Sequence, residues 1–201
     1  MAKIMIINGS PRAPKSNSKR YAELFAKACP AETEYFAVRK TNHLALCCAM
    51  QEVSDVLLVF PLYADGIPVT LMRFLDTLAQ NTPQHPVRIS VMINCGFLEP
   101  EQNDIAVKML RLYCRQNGFA SGSVLQIGSG EAILSTPFRI LVRAKIKRLA
   151  AAMLAGQERT WKVTMPLSKG LFLKASTRYW VSYGKRNGVT KEQMATMQIE
   201  G

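Results

Sequence analysis

The chain has 201 residues, 48% of them apolar, and its 26 Lys and Arg against 14 Asp and Glu give a formal net charge of +12. That length suits one α/β core with a modest additional segment. No run of about 20 uncharged apolar residues occurs, which argues against a membrane-inserted helix, and the short apolar run bracketed by Lys3 and Arg12 argues against a secretory signal.

The predicted elements, in chain order, alternate between strand and helix. Residues 3–7 are a short apolar run that stops at Asn8-Gly9-Ser10, and a helical pattern starts at Asn17 or Ser18 and runs to residue 28. Residues 34–38 are a weaker strand near an edge, and residues 38–55 leave room only for a short, irregular helix. Residues 55–60 form a second strong strand; Pro68, suited to a first helical position, then opens a helix over 69–79. A strand over 88–93 precedes an amphipathic helix over 101–116, and a strand over 123–127 precedes a helix over 138–154 that follows the cap-like pair Thr136-Pro137. Such alternation of Val/Ile/Leu-rich runs with helices implies βαβ units and a parallel sheet covered on both faces. Beyond residue 156, residues 169–183 read as a helix ending at Gly184, and Thr190 with Gln193 has capping-box spacing for a last short helix.

The four strong strands all end in turn chemistry: Asn8-Gly9-Ser10, Pro61-Leu62-Tyr63, Asn94-Cys95-Gly96 and Gly128-Ser129-Gly130. In open α/β sheets ligands sit beyond the carboxyl ends of the strands, so these loops point to a ligand site. The first loop is the most informative. A strand, a polar basic loop and a helix start in that order make an anion site, because backbone N–H groups and the helix dipole favour negative charge there. Gly9 to Ser16 nearly matches the triphosphate loop G-x-x-x-x-G-K-[ST], but Pro14 stands where that motif has glycine and has no N–H to donate. Nucleotide triphosphate hydrolysis is therefore disfavoured, whereas a monophosphate needs fewer donors. The hydroxyls of Ser10, Ser16 and Ser18, the Asn17 amide and the Arg12 guanidinium are placed to surround one dianion.

Residues 6–12, Ile-Ile-Asn-Gly-Ser-Pro-Arg, followed by Ser16-Asn17-Ser18, resemble the flavodoxin-like NAD(P)H-dependent FMN reductases. Phe60-Pro61-Leu62-Tyr63-Ala64-Asp65-Gly66-Ile67-Pro68 resembles their flavin-contacting loop, of the form P-x-Y-x-x-x-x-P, and Asn94-Cys95-Gly96-Phe97 is a weaker third match. The resemblance covers roughly residues 1–155 and implies a flavodoxin-like, doubly wound, five-stranded parallel sheet with helices on both faces, followed by a helical extension. It implies that Ser10, Arg12, Ser16, Asn17 and Ser18 hold the FMN phosphate. Pro61, Leu62, Tyr63, Ala64 and Asp65 would border the isoalloxazine, with Tyr63 able to stack, and Asn94, Cys95, Gly96 and Phe97 would line its other edge. It also implies NAD(P)H as hydride donor and a second small-molecule acceptor.

Some relatives carry iron–sulfur cysteine clusters, but Cys47 and Cys48 are adjacent and lack the spacing of a cluster or zinc site, so no metal is expected and both read as packing residues. Cys95 lies in the proposed flavin loop, as a packed residue or a reactive thiol. Asp65 and Glu99 lie in the same loops, where solvation and capping are the plain reading. His43 and His85 are the only histidines, and no Ser/His/Asp arrangement accompanies them. No catalytic side chain is assigned, since hydride delivery to a flavin needs none. The five cysteines are odd in number and two are adjacent, which argues against a disulfide framework and for a reducing cytoplasm.

The charge is uneven. Residues 1–130 hold 13 Lys/Arg and 10 Asp/Glu, and residues 131–201 hold 13 and 4. In the helix over 138–154, Phe138, Val142, Ile146, Leu149 and Met153 form a core stripe beside a basic row of Arg139, Arg143 and Lys147, which reads first as a solvated face and otherwise as a site for the phosphate of a second nucleotide or for an acidic partner. Tyr179, Trp180 and Tyr183 among basic residues read as cover for the domain or for a neighbouring subunit. The expected organisation is thus a flavin-binding domain over 1–156 and a basic, aromatic extension over 157–201. The expected function is an FMN-dependent oxidoreductase forming a homo-oligomer. The alternatives are a flavodoxin-like electron carrier, disfavoured by the basic charge, and a basic module for nucleic acid or a membrane surface.

Overall fold

The structure, a computed structural model, describes residues 3–196; residues 197–201 of the expected extension lie outside the described residues. Strands β1 (Lys3–Asn8), β2 (Glu32–Ala37), β3 (Asp55–Pro61), β4 (Arg88–Asn94), β5 (Ala120–Ile127) and β6 (Thr160–Val163) pair in parallel in the order β2-β1-β3-β4-β5-β6. Parallel neighbours need crossovers. These are supplied by α1 (Asn17–Ala28), α2 (His43–Met50), α3 (Val69–Gln80), α4 (Asp104–Gln116) and α5 (Arg139–Leu154).

Both faces of the sheet are buried, which is why its strands read as near-continuous apolar runs. Met5, Ile7, Leu58, Phe60, Val91 and Ile93 share one cluster with Leu46 and Met50 of α2, Leu71 and Phe74 of α3, and Val107 and Leu110 of α4. The alternate residues Ile4, Ile6, Leu57, Val59, Met92 and Leu125 are equally buried, and α1 (Tyr21, Phe25) and α5 (Val142, Ile146, Leu149) pack on β3 and β5. Strand order reverses direction between β1 and β3, which makes the carboxyl ends of those strands the switch point where such sheets bind ligands.

Several expectations are corrected. The sheet has six strands, not five, because Thr160–Val163 adds to the β5 edge. A four-residue strand with only Val163 buried carries no alternation to read. The chain accordingly divides into compact units at Met1–Met165 and Pro166–Gly201, so residues 157–165 go with the sheet. Helix α2 is regular over His43–Met50. Pro68 is the N-cap of α3, with extended ψ, rather than its first helical residue. Thr136 does not cap α5; its hydroxyl donates to the Ile133 carbonyl at 2.8 Å.

The second unit contains α6 (Lys169–Arg186) and α7 (Lys191–Thr196). Gly184 lies inside α6 rather than after it, and a Cβ there would come within 2.7 Å of Met194 Sδ, so the missing side chain lets α7 approach. The expected capping box opens α7: Thr190 N–H donates to Gln193 Oε1 at 2.8 Å and Gln193 N–H to Thr190 Oγ1 at 3.2 Å.

Candidate functional site

Beyond Asn8 the chain makes a compact loop held by its own polar side chains. Asn8 is fully buried. Its Oδ1 accepts from Ser10 N–H at 2.9 Å, and its Nδ2 donates to Tyr35 Oη at 2.9 Å and to Ser16 Oγ at 3.3 Å. Arg12 N–H donates to Ser10 Oγ at 3.3 Å. A one-turn 3-10 helix over Ala13–Lys15 leads to Ser16, which caps α1 by accepting from Lys19 N–H at 3.1 Å. The Asn17 and Ser18 N–H groups, at the first two helical positions, have no intrahelical acceptor. Gly9 is required for this path: a Cβ there would meet Leu71 Cδ2 at 2.7 Å.

A cleft of about 540 Å³ opens beside this loop and runs to the ends of β3 and β4. Ser10, Arg12, Ser16, Asn17, Ser18, Pro61, Leu62, Tyr63, Asn94, Cys95 and Gly96 line it, so the three motifs, far apart in sequence, converge. Asn94 links two of them: its Nδ2 donates to Ser18 Oγ and to the Phe60 carbonyl, each at 3.1 Å. Ala64, Asp65 and Phe97 do not line the wall. Ala64 and Asp65 form the tip of a tight turn, with φ of +46° and +57°, closed by reciprocal Tyr63 and Gly66 N–H···O bonds of 3.0 Å. Two positive φ values in a row match a type I′ hairpin turn, and for alanine that conformation is strained. The turn leaves the Tyr63 side chain 57% exposed at the lip, and Phe97 is 51% exposed.

Sequence reading missed Lys15, Lys19, Arg20, Glu23 and Glu131, all of which line the cleft. Glu131 follows the Gly128-Ser129-Gly130 strand end, whose position beside the site was the available signal. Arg12, Lys15, Lys19 and Arg20 against Glu23 and Glu131 leave the cleft with excess positive charge. The Arg12 guanidinium makes no hydrogen bond or ion pair among the described residues, whereas Asn17 Oδ1 accepts from Arg20 at 3.0 Å.

Cys95 is a buried thiol. Asn103 Nδ2 donates to its Sγ at 3.4 Å, and burial pushes its pKa up, which favours the thiol over a reactive thiolate. Tyr21 Oη donates to the Gly130 carbonyl at 2.8 Å and pins α1 to the loop after β5; burial raises that phenol's pKa as well. Neither histidine lines the cleft. His43 Nδ1 lies 3.3 Å from Thr77 Oγ1, and His85 Nε2 lies 2.8 Å from the Gln51 carbonyl. Cys47 is buried and Cys48 exposed. Among the described residues, no group of three or more His, Cys, Asp or Glu side chains is placed to hold a metal, and no helix is long and apolar enough to cross a membrane.

No family model matches the chain, and no curated protein matches it in sequence. Solved structures do match. A flavodoxin of Streptococcus pneumoniae TIGR4 superposes with a TM-score of 0.58 at 16% identity, over 77% of this chain and 99% of that one. An NADPH-quinone reductase of P. pentosaceus gives 0.58 at 13%, over 74% and 98%. An azoreductase of Bacillus anthracis str. Sterne gives 0.51 at 17%, over 75% and 98%. At such identities the likeness concerns architecture, and with the observed strand order it shows that this chain has the flavodoxin-like α/β fold.

Proposed function

We propose that the chain is an FMN-dependent oxidoreductase that takes hydride from NAD(P)H and passes electrons to a second small-molecule acceptor such as a flavin or quinone. One observation carries this reading: a single cleft at the switch point joins a cationic helix start to an aromatic-lipped turn. The donor set fits the group. Ser10, Arg12, Lys15, Ser18 and the first N–H groups of α1 suit a phosphate dianion. Pro61, Leu62 and Tyr63 on one side and Asn94 to Gly96 on the other suit a flat ring system with a polar edge. FMN, when bound, supplies the hydride acceptance and electron release. The chain's part is to bind and orient: the loop fixes the phosphate, Asn94 ties the loop to the ring end, and neutral Cys95 adds no competing nucleophile. Names among the structural neighbours, azoreductase and NADPH-quinone reductase, support a reductase.

The visible spectrum of the purified protein tests this. Flavin bands that bleach anaerobically on NADPH addition are expected. Flavin bands that persist in NADPH would favour an electron carrier, the reading that the flavodoxin neighbour supports and the +12 charge opposes. FMN should also bind more tightly than riboflavin in a fluorescence-quenching titration, and equal affinity would remove the phosphate assignment. We further place the protein in a reducing cytoplasm, in keeping with its free cysteines, and as a homo-oligomer. Exposed apolar side chains, Ile105, Met109 and Leu112 at helical spacing on α4 and Val69 and Met72 on α3, support assembly of copies.

A further inference from the structure

Helices α1 and α5 both begin at the ligand end of the sheet and run side by side. Their facing surfaces enclose a groove of about 210 Å³ lined by Arg20, Glu23, Leu24 and Lys27 of α1 and by Leu134, Arg139 and Arg143. The spacing explains the alignment: 20, 23, 24 and 27 fall on one face of α1, and 139 and 143 on one face of α5. Four cations therefore share the groove with one carboxylate. None of the four forms an ion pair with a carboxylate within 4.0 Å among the described residues, whereas Arg88, Arg111 and Lys162 elsewhere all do. Four cations beside one carboxylate on neighbouring helices give the groove a positive local potential that attracts an anion. Arg20 and Glu23 also line the flavin cleft, so the groove is continuous with it and leads away for about two turns of α1, roughly 10 Å.

We propose that this groove receives the adenosine 2′-phosphate of the hydride donor and so selects NADPH over NADH; this rests on the oxidoreductase reading above. The groove meets the cleft at Arg20 and Glu23, on the α1 side beyond the phosphate loop, so it suits the distal part of a dinucleotide whose other end lies over the ring beside Pro61 to Tyr63. Arginine forks from two helices match a phosphomonoester dianion in two-point geometry. Leu24 and the buried Leu134 provide an apolar strip between the charged rims on which the adenosine can lie.

Calorimetric titration of the FMN-saturated full chain with 2′,5′-ADP, 5′-AMP and inorganic phosphate tests this without turnover. The expected result is 2′,5′-ADP binding at least about tenfold tighter than 5′-AMP, with a further loss of about tenfold per arginine in Arg139→Ala and Arg143→Ala. Lys147→Ala removes a charge from the same helix outside the groove and should leave 2′,5′-ADP affinity within about twofold, and Arg143→Lys should recover only part of the loss. Equal binding of the two nucleotides, equal losses in Lys147→Ala and Arg143→Ala, or full competition by inorganic phosphate at nucleotide concentrations would each overturn the assignment. Parallel FMN titrations of every variant separate the two readings. Tight 2′,5′-ADP binding by a chain that binds no FMN would remove the flavin and retain the groove. Normal FMN binding without 2′,5′-ADP discrimination would do the reverse.

Discussion

Both ends of the Asn8 amide are engaged, on Ser10 N–H, Ser16 Oγ and Tyr35 Oη. Asn8→Ala should therefore disorder the loop from behind, lowering unfolding free energy by about 1–3 kcal/mol and weakening FMN in the same variant, as urea unfolding and quenching titrations would show. Arg12 and Ser18 separate affinity from stability. The Arg12 guanidinium is exposed and unbonded, so Arg12→Ala should weaken FMN by about 1.5–3 kcal/mol at unchanged melting temperature. Ser18 is buried on Asn94, so Ser18→Ala should weaken FMN less, by about 0.5–1.5 kcal/mol, and also lower the melting temperature. If both bind FMN as wild type does, the phosphate lies elsewhere. Thiol burial sets an alkaline limit. Burial raises the Cys114 pKa to about 11. The unfolded chain ionises this thiol first, so the native state keeps its full advantage below about pH 8.5 and loses it as pH rises through the folded value. The urea midpoint should fall between about pH 9 and 11, and less steeply in Cys114→Ala; an unchanged slope would show that Cys114 does not contribute.

At the scale of elements, the Tyr63–Gly66 turn keeps alanine at φ +46°. Ala64→Gly should remove that strain against a larger backbone entropy cost, a net gain of up to about 1 kcal/mol in urea unfolding with unchanged m-value. A loss instead would mean that the Ala64 methyl makes a contact worth more than the strain. The turn also shows how sequence and structure part company. The motif around Tyr63 was legible from residue types, but the outward aim of Ala64 and Asp65 depends on two backbone dihedrals that no side-chain pattern declares. The four strong strands were legible because burial on both faces makes them continuously apolar. Strand β6 was not, because its place is defined by pairing with β5 and by Lys162 reaching Glu101 and Asp104, contacts distant in sequence. That the loop from Ser10 to Ser18 lines a cleft was legible from its hydroxyls and charge. The bonding inside it was not: Ser16, which lines the cleft, also caps α1, and Asn8, taken as turn chemistry, holds the loop. Lys15 was passed over because it was weighed only as part of a triphosphate motif.

For the whole molecule, the position of the last strand decides which truncations survive. A chain ending at Met165 keeps β6 and should retain a cooperative melt and FMN binding. One ending at residue 156 uncovers the β5 edge and removes the Gln157 carbonyl and Arg159 N–H that hold Ser123 Oγ. It should melt lower and aggregate, as light scattering would show; equal behaviour of the two would make β6 dispensable. The layered arrangement also has a consequence during synthesis. Strands β1, β3 and β4 are complete by Asn94, and the helices of one face by Gln116, yet α5 is not finished until Leu154. A growing chain therefore carries one closed apolar face and one that only α1 covers, with Leu125 and its neighbours still bare. The interval between residues 127 and 154 is the window in which the nascent protein has most to lose from collision and most to offer a chaperone.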